Sequence, residues 1–491
     1  MEIFSIQRNS EFGRFAIACQ DLNAGEFLSE DFPFVIGPKA STTCCCLECY
    51  CPVDATSSGS RCDDCSWPLC HDCRKLSERP SHKRECEIFK AAKCKFYNLS
   101  VTNAICMQLD CITPLRVLLE KEFNSMRWHE EIEPMEHHRN ERFGSPTWNA
   151  DEQNVVGYLC GPCKMKQRGI DGELIQQVIG ILEVNTFEGK TVKSHTMRCL
   201  YPKLSILSHS CTPNTTHSIH PSYGNKFTLR ATIPIKQGSQ LYTTYAYTLS
   251  GTAERQQHLK QGKFFQCHCE RCLDPTELGT NFSSLKCQKC HLGYLLASDP
   301  LNSETIWKCN KCECEVTTVN IQSLLKTLQD EINSTRSIES LENLLEKYKT
   351  ILHSNHFLMI SIKNLLIDLY GHVRGYLLSE LPESLLRRKI QLCTEVLQIL
   401  DVFESGKSRA RGLMLIELHQ PITLHASCQY KLGKISNKEY LIELEKSQNI
   451  LNESLEILSC EDESICQQRK LGKLSLNQLE KLIKDVKENC N

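Results

Sequence analysis

No run of about 18 apolar residues, the length that a membrane-spanning helix needs, occurs in the 491-residue chain. The start, MEIFSIQRNS, lacks the basic and then apolar segments of a secretory signal. A charge excess is also missing, because 57 Lys and Arg stand against 59 Asp and Glu, and this balance argues against nucleic acid as a partner. We therefore expect a soluble globular protein, located in the nucleus, the cytoplasm or both, with no membrane partner.

Cysteine is abundant, with 31 residues in the chain, and it is most crowded between positions 44 and 111 and again between 267 and 314. Because no secretory signal is present, the thiols should stay reduced, and dense cysteine then indicates metal binding rather than disulfides. The length exceeds what one hydrophobic core normally holds, so we expect two to four domains.

Two kinds of sequence pattern divide the chain. The first 280 residues carry short β-rich runs such as RFAIACQDL, EFLSEDFPFVIG, KFTLRATIPI and QLYTTYAY, with NAGE and KQGS as turns. From about Val316, apolar residues recur at helical spacing in IQSLLKTLQDEI, SLENLLEKYKTIL, SIKNLLIDLYGHV, LLRRKIQLCTEVLQILDVF and YLIELEKSQNILNESLEIL. This half predicts an α-helical bundle or a solenoid of helix pairs.

The first cysteine cluster has eight potential ligands, enough for two tetrahedral zinc sites. A Cys-x2-Cys turn places two thiolates on one ion, and so short a module depends on the metal for folding. Three further thiols, Cys44, Cys45 and Cys51, compete as ligands of the first pair. The predicted ligands are Cys46, Cys49, Cys62, Cys65, Cys70, Cys73, His82 and Cys86.

Two more clusters follow in the second cysteine-rich region. Cys267, Cys269 and Cys272 provide three ligands, and Cys211, within ILSHSCTPNTTH, is the candidate for the fourth. Beyond them, two Cys-x2-Cys pairs separated by a hairpin-length segment indicate a zinc ribbon. Its predicted ligands are Cys287, Cys290, Cys309 and Cys312. The ligand count predicts about four zinc ions per chain.

Cys160-Gly-Pro-Cys163 has the spacing of a thioredoxin redox motif. That motif needs a preceding strand and a helix that starts at the first cysteine. VVGYL is a candidate strand, but KMKQRGIDG interrupts any following helix, so we interpret these two residues as unpaired thiols in an inserted region.

The first cluster resembles a MYND zinc finger, and FGRFAIACQDLNAGEFL, VNTFEG, LYPKLSILSHSCTPN and GSQLYTTYAY resemble successive SET segments. In this order, the motifs resemble the SET- and MYND-domain (SMYD) protein-lysine methyltransferases, and most closely the arthropod-type members. The resemblance covers about residues 1–316. It implies an α+β fold, with SET-type β-sheets, an inserted MYND finger, a zinc-rich post-SET region and an all-α, helical-repeat-like C-terminal domain.

The domain boundaries that this resemblance implies are 1–40 for the N-terminal SET part and 41–86 for the MYND finger. Next come 87–180 for a linker helix and SET insertion, and 181–280 for the SET core and post-SET region. The zinc ribbon then occupies 281–316 and the helical domain 317–491.

The resemblance also implies methyl transfer from S-adenosylmethionine to a lysine of a histone or other protein. Tyr245 would orient the amine and assist transfer, although a strand tyrosine packed in a core is the plainer interpretation. Asn214 would hold the loop crossing in shape. The implied cofactor-binding residues are Gly13, Arg14, Asn185, Tyr201, Ser208, His209 and Phe265.

The same resemblance implies which ligands share an ion. Cys46, Cys49, Cys70 and Cys73 would form one MYND site, and Cys62, Cys65, His82 and Cys86 the other. Cys211 would join Cys267, Cys269 and Cys272.

The sequence departs from the family pattern at four places, three in the implied cofactor site and one in the zinc finger. Serine replaces the usual asparagine at position 208, Phe15 replaces a glycine, and Ser239 and Gln240 replace paired glutamates. The third cysteine pair has two intervening residues rather than three, which affects Cys73. The loss of one polar contact with the cofactor would weaken its binding by about 1–3 kcal/mol.

Two alternatives to an enzyme follow from the sequence. The first is a catalytically weak or inactive adaptor in transcriptional regulation, whose finger docks proline-rich peptides. The second is direct nucleic-acid binding through the locally basic HKRECEIFKAAKCKF, against which the balanced overall charge argues.

Overall fold

A computed structural model describes residues 3–9, 13–54, 56–97 and 105–488. The first SET-like segment begins at Phe12, which lies outside these ranges. The chain forms two compact units, which we call unit 1 (1–28, 208–216 and 230–491) and unit 2 (29–207 and 217–229). Among the described residues, no helix combines the length and the apolar character required to cross a membrane. The predicted domain boundaries stay predictions.

The strands are short. They are β1 Phe4–Asn9, β2 Gly13–Ala18, β3 Phe27–Asp31, β4 Val35–Gly37, β5 Thr186–Lys190, β6 Thr196–Leu200, β7 Ser208–His209, β8 Thr215–His220, β9 Lys226–Ala231, β10 Tyr242–Thr243, β11 Leu285–Lys286, β12 Tyr294–Ala297, β13 Ile306–Cys309 and β14 Glu315–Thr317.

These strands form five small sheets in the described part of the chain. In unit 1, β1 pairs antiparallel with β2, β7 pairs parallel with β10, and β11 to β14 form an antiparallel meander. In unit 2 the strand order is β4–β6–β5, all antiparallel. The fifth sheet has the order β3–β9–β8. The predicted turns at Gly25 and Gly238 adopt positive φ values of 84° and 82°.

The α-helices connect these sheets and form the C-terminal region. They are α1 His71–Arg74, α2 Lys83–Ala92, α3 Ile112–Phe123, α4 Ser125–Arg127, α5 Arg139–Arg142, α6 Pro146–Asp151, α7 Gly157–Cys160, α8 Gly172–Asn185, α9 Thr252–Lys263, α10 Glu270–Leu273, α11 Thr318–Ser334, α12 Ile338–Tyr348, α13 Phe357–Leu369, α14 Glu383–Phe403, α15 Arg409–Lys431, α16 Asn437–Leu458 and α17 Gln467–Glu488.

The core of unit 2 joins the cysteine-rich finger to α3 and α8. Trp67 is fully buried in the finger, stacks on Phe89 of α2 at 4.0 Å, and donates its Nε1 hydrogen to the Cys94 carbonyl at 3.2 Å. Apolar residues of α3 and α8 face the same core because they recur at helical spacing. The finger and the helices therefore share one hydrophobic core.

The C-terminal helices of unit 1 follow the predicted apolar pattern. The five periodic segments lie in α11, α12, α13, α14 and α16, and from α13 to α17 each helix packs against the next one. The ribbon residue Leu285 and the α14 residue Phe403 belong to one core. The predicted α+β fold class, with cysteine-rich clusters and a helical C-terminal region, is confirmed.

Candidate functional site

Four groups of cysteine and histidine side chains converge among the described residues. Within each group, the potential ligand atoms all lie within 4.8 Å of one another. The groups have the same members as those expected from the sequence and the resemblance. They are Cys46, Cys49, Cys70 and Cys73; Cys62, Cys65, His82 and Cys86; Cys211, Cys267, Cys269 and Cys272; and Cys287, Cys290, Cys309 and Cys312.

Sulfur separations test whether these groups fit zinc. A tetrahedral ion bonded to sulfur at about 2.3 Å sets S–S distances of about 3.8 Å, and S–N distances of about 3.5 Å when histidine is a ligand. The Cys65 Sγ to His82 Nε2 distance is 3.3 Å. The Sγ–Sγ distances are 3.7 Å for Cys49–Cys70, 3.8 Å for Cys62–Cys86, 3.5 Å for Cys211–Cys272, and 3.7 Å for both Cys287–Cys312 and Cys290–Cys309. The donor sets and spacing fit four tetrahedral zinc ions.

A left-handed backbone turn closes three of the Cys-x2-Cys segments. Tyr50, Ser66 and His291 follow the second cysteine of their pairs and have φ values of 61°, 64° and 57°. In each case their N–H donates to the carbonyl of the first cysteine. This turn directs both thiols to the same side. Because left-handed φ favours glycine, three other residues there indicate that the local geometry is strongly held.

The histidine ligand of the finger has a buried carboxylate partner. His82 Nδ1 contacts Glu85 at 2.9 Å, and Arg116 donates to both oxygens of that carboxylate at 2.6 and 2.7 Å. Arg116 also donates to the Leu47 carbonyl and the Tyr50 hydroxyl. A carboxylate on the far nitrogen orients a metal-bound histidine. Arg116 therefore ties the finger to α3 through a network that would support zinc.

Three other cysteines of unit 2, Cys51, Cys160 and Cys163, do not belong to the four converging groups. Cys51 Sγ lies 3.4 Å from Cys49 Sγ, so it stays a competitor for the first site. VVGYL forms helical turns rather than the candidate strand, and Cys160 ends α7. Cys163 is buried, and its Sγ lies 3.4 Å from Cys94 Sγ. The 160–163 segment therefore lacks the strand that a thioredoxin motif requires.

A buried arginine neutralises the thiolate group around Cys211. Arg255 Nε donates to Cys211 Sγ at 3.2 Å, and its Nη2 donates to Cys272 Sγ at 3.5 Å. Its Nη1 donates to Glu277, which also accepts from Arg271 at 2.9 Å. Four thiolates around a divalent zinc ion carry two excess negative charges, so a guanidinium contact stabilises them.

His209 connects this thiolate group to Tyr245. The Tyr245 backbone N–H donates to His209 Nδ1 at 3.0 Å, so Nδ1 carries no hydrogen. The hydrogen of the neutral ring is then on Nε2, which lies 3.3 Å from Cys211 Sγ and donates to it. Burial lowers the pKa of His209 to about 4, which keeps the ring neutral at physiological pH. The position of Tyr245 is therefore linked to a sulfur of the Cys211 group, which could hold a metal ion.

Tyr245 belongs to a small aromatic cluster. Its ring lies 5.3 Å from the His209 ring and 6.4 Å from the Phe265 ring, the latter at an interplanar angle of 86°. Burial raises the pKa of Tyr245 above its ordinary value, so the phenol stays protonated at neutral pH. The cluster places a phenol next to two further aromatic rings, those of His209 and Phe265.

The other predicted cofactor residues of unit 1 lie on short strands. Gly13 begins β2 with a φ of 64°, which glycine adopts without strain, and Arg14 lies opposite Arg8 of β1. Ser208 lies on β7, where its Oγ accepts a hydrogen bond from Gln240 Nε2 at 2.8 Å. The serine and the glutamine, both departures from the family pattern, thus contact each other.

Two predicted cofactor residues lie in unit 2 and make internal contacts. Asn185 Nδ2 donates to the carbonyls of Glu136 and Ile181, each at 3.0 Å. Tyr201 is fully buried, and its hydroxyl donates to the Asn225 carbonyl at 2.6 Å. Both side chains therefore support the local backbone. Their predicted roles toward a cofactor stay predictions.

Asn214 has the structural role expected of it. Its Nδ2 donates to the Gln240 carbonyl at 2.8 Å, and its Oδ1 accepts from the Tyr242 N–H at 2.7 Å. The contacts of the charged residues Glu85, Arg116, Arg255 and Glu277 were not predicted from the sequence. Single charged residues carry no local signal of burial, and only the first, three residues after His82, had a spacing that indicates a histidine partner.

Comparisons with known proteins agree with this arrangement. The family model described as "SET domain" matches residues 13–246. A Drosophila melanogaster protein, "SET domain-containing protein SmydA-8, isoform A", is 26% identical over 379 residues, which is 73% of this chain and 76% of the relative.

Two vertebrate relatives match shorter stretches. "Protein-lysine N-methyltransferase SMYD4" of Homo sapiens is 29% identical over 29% of this chain and 17% of its own length. "N-lysine methyltransferase SMYD2" of Gallus gallus is 24% identical over 46% of this chain and 50% of its own length.

Residues 13–246 thus match a SET domain, and four groups of side chains that could ligate zinc converge in the described part of the chain. Relatives named as SMYD-type proteins support the resemblance that the motifs indicate.

Proposed function

We propose that this protein is a protein-lysine methyltransferase, which transfers a methyl group from S-adenosylmethionine to the ε-amine of a lysine in another protein. The observation that carries the proposal is the placement of Tyr245 within the matched SET domain. Its backbone is bonded to His209, and its ring belongs to an aromatic cluster next to the Cys211 group. Relatives named as lysine methyltransferases support the same reaction class.

The chemistry of the cluster fits a sulfonium methyl donor. Aromatic faces attract cations, and the Tyr245 ring already lies 5.4 Å from the Lys263 ammonium nitrogen. Phe265 provides a second aromatic surface at an edge-on angle to the first. When bound, the donor supplies the electrophilic methyl group. We assign His209, Ser208, Phe265 and the Gly13–Arg14 turn of unit 1 to its binding.

Tyr245 has a positioning task in this reaction. Its protonated hydroxyl group orients the lone pair of the substrate amine toward the methyl group, and alignment of reacting atoms lowers the barrier substantially. The amine must be neutral to react. A desolvated site next to a positive charge favours the neutral form of a lysine. No base on the protein is required if solvent accepts the proton before binding.

Zinc has a structural part in the proposal. Zinc at the Cys211 group would hold the segment of Cys267, Cys269 and Cys272 against the strand that carries His209. Loss of that metal would release the Nε2 partner of His209. The finger has a separate place in the proposal, as a surface that binds proline-rich peptides of partner proteins.

A second candidate is an adaptor that binds proteins but transfers methyl groups weakly. The internal bonds of Ser208, Asn185 and Tyr201 favour it, because polar groups that are already paired gain less from a ligand. In this alternative the SET fold is a scaffold.

One assay distinguishes the two candidates. The zinc-loaded protein is incubated with radiolabelled S-adenosylmethionine and a panel of histones and other lysine-bearing proteins. An enzyme labels at least one protein, and calorimetry detects binding of the donor. If neither label nor binding is observed, the adaptor replaces the enzyme.

A further inference from the structure

One lysine of this chain contacts the ring that the proposed reaction uses. Lys263 is the last residue of α9, and its Nζ lies 5.4 Å from the centroid of the Tyr245 ring. The residue is half-buried. A cation at this distance from an aromatic face is attracted to it. The amine nitrogen of Lys263 is thus held beside the proposed catalytic residue.

Besides Lys263, two neighbouring residues, Phe265 and His258, contact Tyr245. Phe264 adopts a left-handed conformation with a φ of 61°, which turns the chain between Lys263 and Phe265. Phe265 lies edge-on to the Tyr245 ring, and His258 Nε2 donates to the Tyr245 carbonyl at 3.1 Å. Residues on both sides of the turn therefore contact the same tyrosine, which distinguishes Lys263 from an ordinary surface lysine.

Hydrogen bonds also hold the part of the chain that follows Phe265. Cys267, four residues after Lys263, belongs to the Cys211 group, and its N–H donates to the Gln256 side chain on α9 at 3.1 Å. Gln256 in turn donates to the Cys267 carbonyl at 2.7 Å. The end of α9 is thus bonded to the cysteine-rich segment, and the Lys263 position depends on both.

We propose that Lys263 is an internal methyl acceptor, modified by its own active site. The inference rests on the proposed methyltransferase function. In the reaction, the neutral Nζ forms a bond to the methyl carbon of S-adenosylmethionine while the carbon–sulfur bond breaks. The bond electrons pass to sulfur, which becomes the neutral thioether of S-adenosylhomocysteine. The methylated nitrogen becomes a secondary ammonium, and the proton that Nζ lost before the reaction stays in solvent.

The methylated Lys263 side chain is expected to stay against the Tyr245 ring. Methylation preserves the positive charge on Nζ, and methylated ammonium groups bind aromatic faces well. A methylated Lys263 would therefore remain against Tyr245 and compete with an external lysine. Internal methylation would limit the activity of the same molecule.

The experiment uses the zinc-loaded full-length chain and S-adenosylmethionine with a deuterated methyl group. After incubation with and without the panel of lysine-bearing proteins, a protease that does not cut at lysine releases the peptide with Lys263. Tandem mass spectrometry then locates the label. Lys263→Arg removes the acceptor, and Lys260→Arg, an exposed position one turn earlier on α9, is the matched control.

We expect label at Lys263 in the parent and in Lys260→Arg, and background at that position in Lys263→Arg. The fraction labelled per minute should not change over a roughly tenfold dilution, because the step is intramolecular. Label on external proteins with none on Lys263 overturns the inference and leaves the proposed function intact. Label on neither overturns both, and a rate that falls with dilution contradicts modification within one molecule.

Discussion

Ser208 Oγ accepts a hydrogen bond from Gln240 Nε2 at 2.8 Å, and Gln240 Oε1 accepts one from the Tyr242 hydroxyl at 3.0 Å. Ser208 is only 7% exposed. The family resemblance implies asparagine at the first position and glutamate at the second. The two departures therefore form one compatible pair, because a short hydroxyl group accepts what the amide of Gln240 donates.

The contact between Ser208 and Gln240 predicts how cofactor affinity changes when asparagine is placed at position 208. Ser208→Asn alone should not improve binding of S-adenosylmethionine, because the longer side chain meets Gln240 in a nearly closed space. The double change with Gln240→Glu provides an acceptor for the new amide. We expect a gain of about 0.5–1.5 kcal/mol from the double variant, up to about tenfold in affinity. Calorimetry of the three proteins checks this, and equal gains in the single and double variants would contradict the pairing.

The ligand assignment of Cys211 has a direct test in metal content. Cys211→Ser should reduce bound zinc from about four ions per chain to about three, because three thiolates hold the ion less well. Cys428→Ser, at a half-buried cysteine of α15 outside the four groups, is the control and should keep all four. Elemental analysis gives the counts. Four ions in the Cys211 variant would remove this residue from the metal site.

Glu85 should support zinc binding at the His82 group. Glu85→Gln leaves the Arg116 guanidinium buried without a charged partner, a change that typically costs about 3–5 kcal/mol. It also weakens the orientation of His82, so zinc release to a chelator should be about 10–100 times faster. Glu120→Gln removes the more exposed ion pair with Arg84, which is worth about 0–1 kcal/mol. Equal release rates from the two variants would contradict the role of Glu85.

Sequence patterns predicted which neighbouring cysteines converge, because a Cys-x2-Cys turn is encoded within a few residues. Cys211 was different, since it is far in sequence from Cys267 and only the resemblance connected them. The helical segments followed their apolar period, with one clear exception. α15 contains Pro421 and Gly412, which weaken a helix prediction, yet Leu418 and Ile422 are buried on it. Tertiary packing stabilises that helix despite its local sequence.

His356 should make the free energy of unfolding depend on pH. Burial lowers its pKa to about 3, while an unfolded histidine has a pKa of about 6.5. Between these values the unfolded chain binds the extra proton. Stability is then full above about pH 6.5 and falls with decreasing pH by about 1.4 kcal/mol per unit.

The zinc ligands also bind protons in acid and therefore also make stability depend on pH. A substitution of His356 separates its contribution from theirs. His356 Nδ1 accepts from the Leu358 N–H at the start of α13, and asparagine is a good replacement at such a position. His356→Asn should reduce the slope of stability against pH by about one proton, and His372→Asn, at an exposed histidine, should not. Denaturant unfolding at several pH values measures both. Identical slopes in the parent and His356→Asn would contradict the buried neutral state.

The central claim is that Tyr245 orients a lysine amine for methyl transfer, and Tyr245→Phe tests it most directly. The change deletes one hydroxyl group and keeps the ring, the backbone bond to His209 and the contact with Phe265. Tyr247→Phe, at a tyrosine that is 68% exposed two residues later, is the matched control. Transfer of labelled methyl to lysine-bearing proteins is measured together with zinc content and donor binding. We expect Tyr245→Phe to lose most transfer while its zinc content and donor affinity stay near those of the parent, and we expect Tyr247→Phe to keep its activity. Undiminished transfer by Tyr245→Phe would contradict the role of the Tyr245 hydroxyl group.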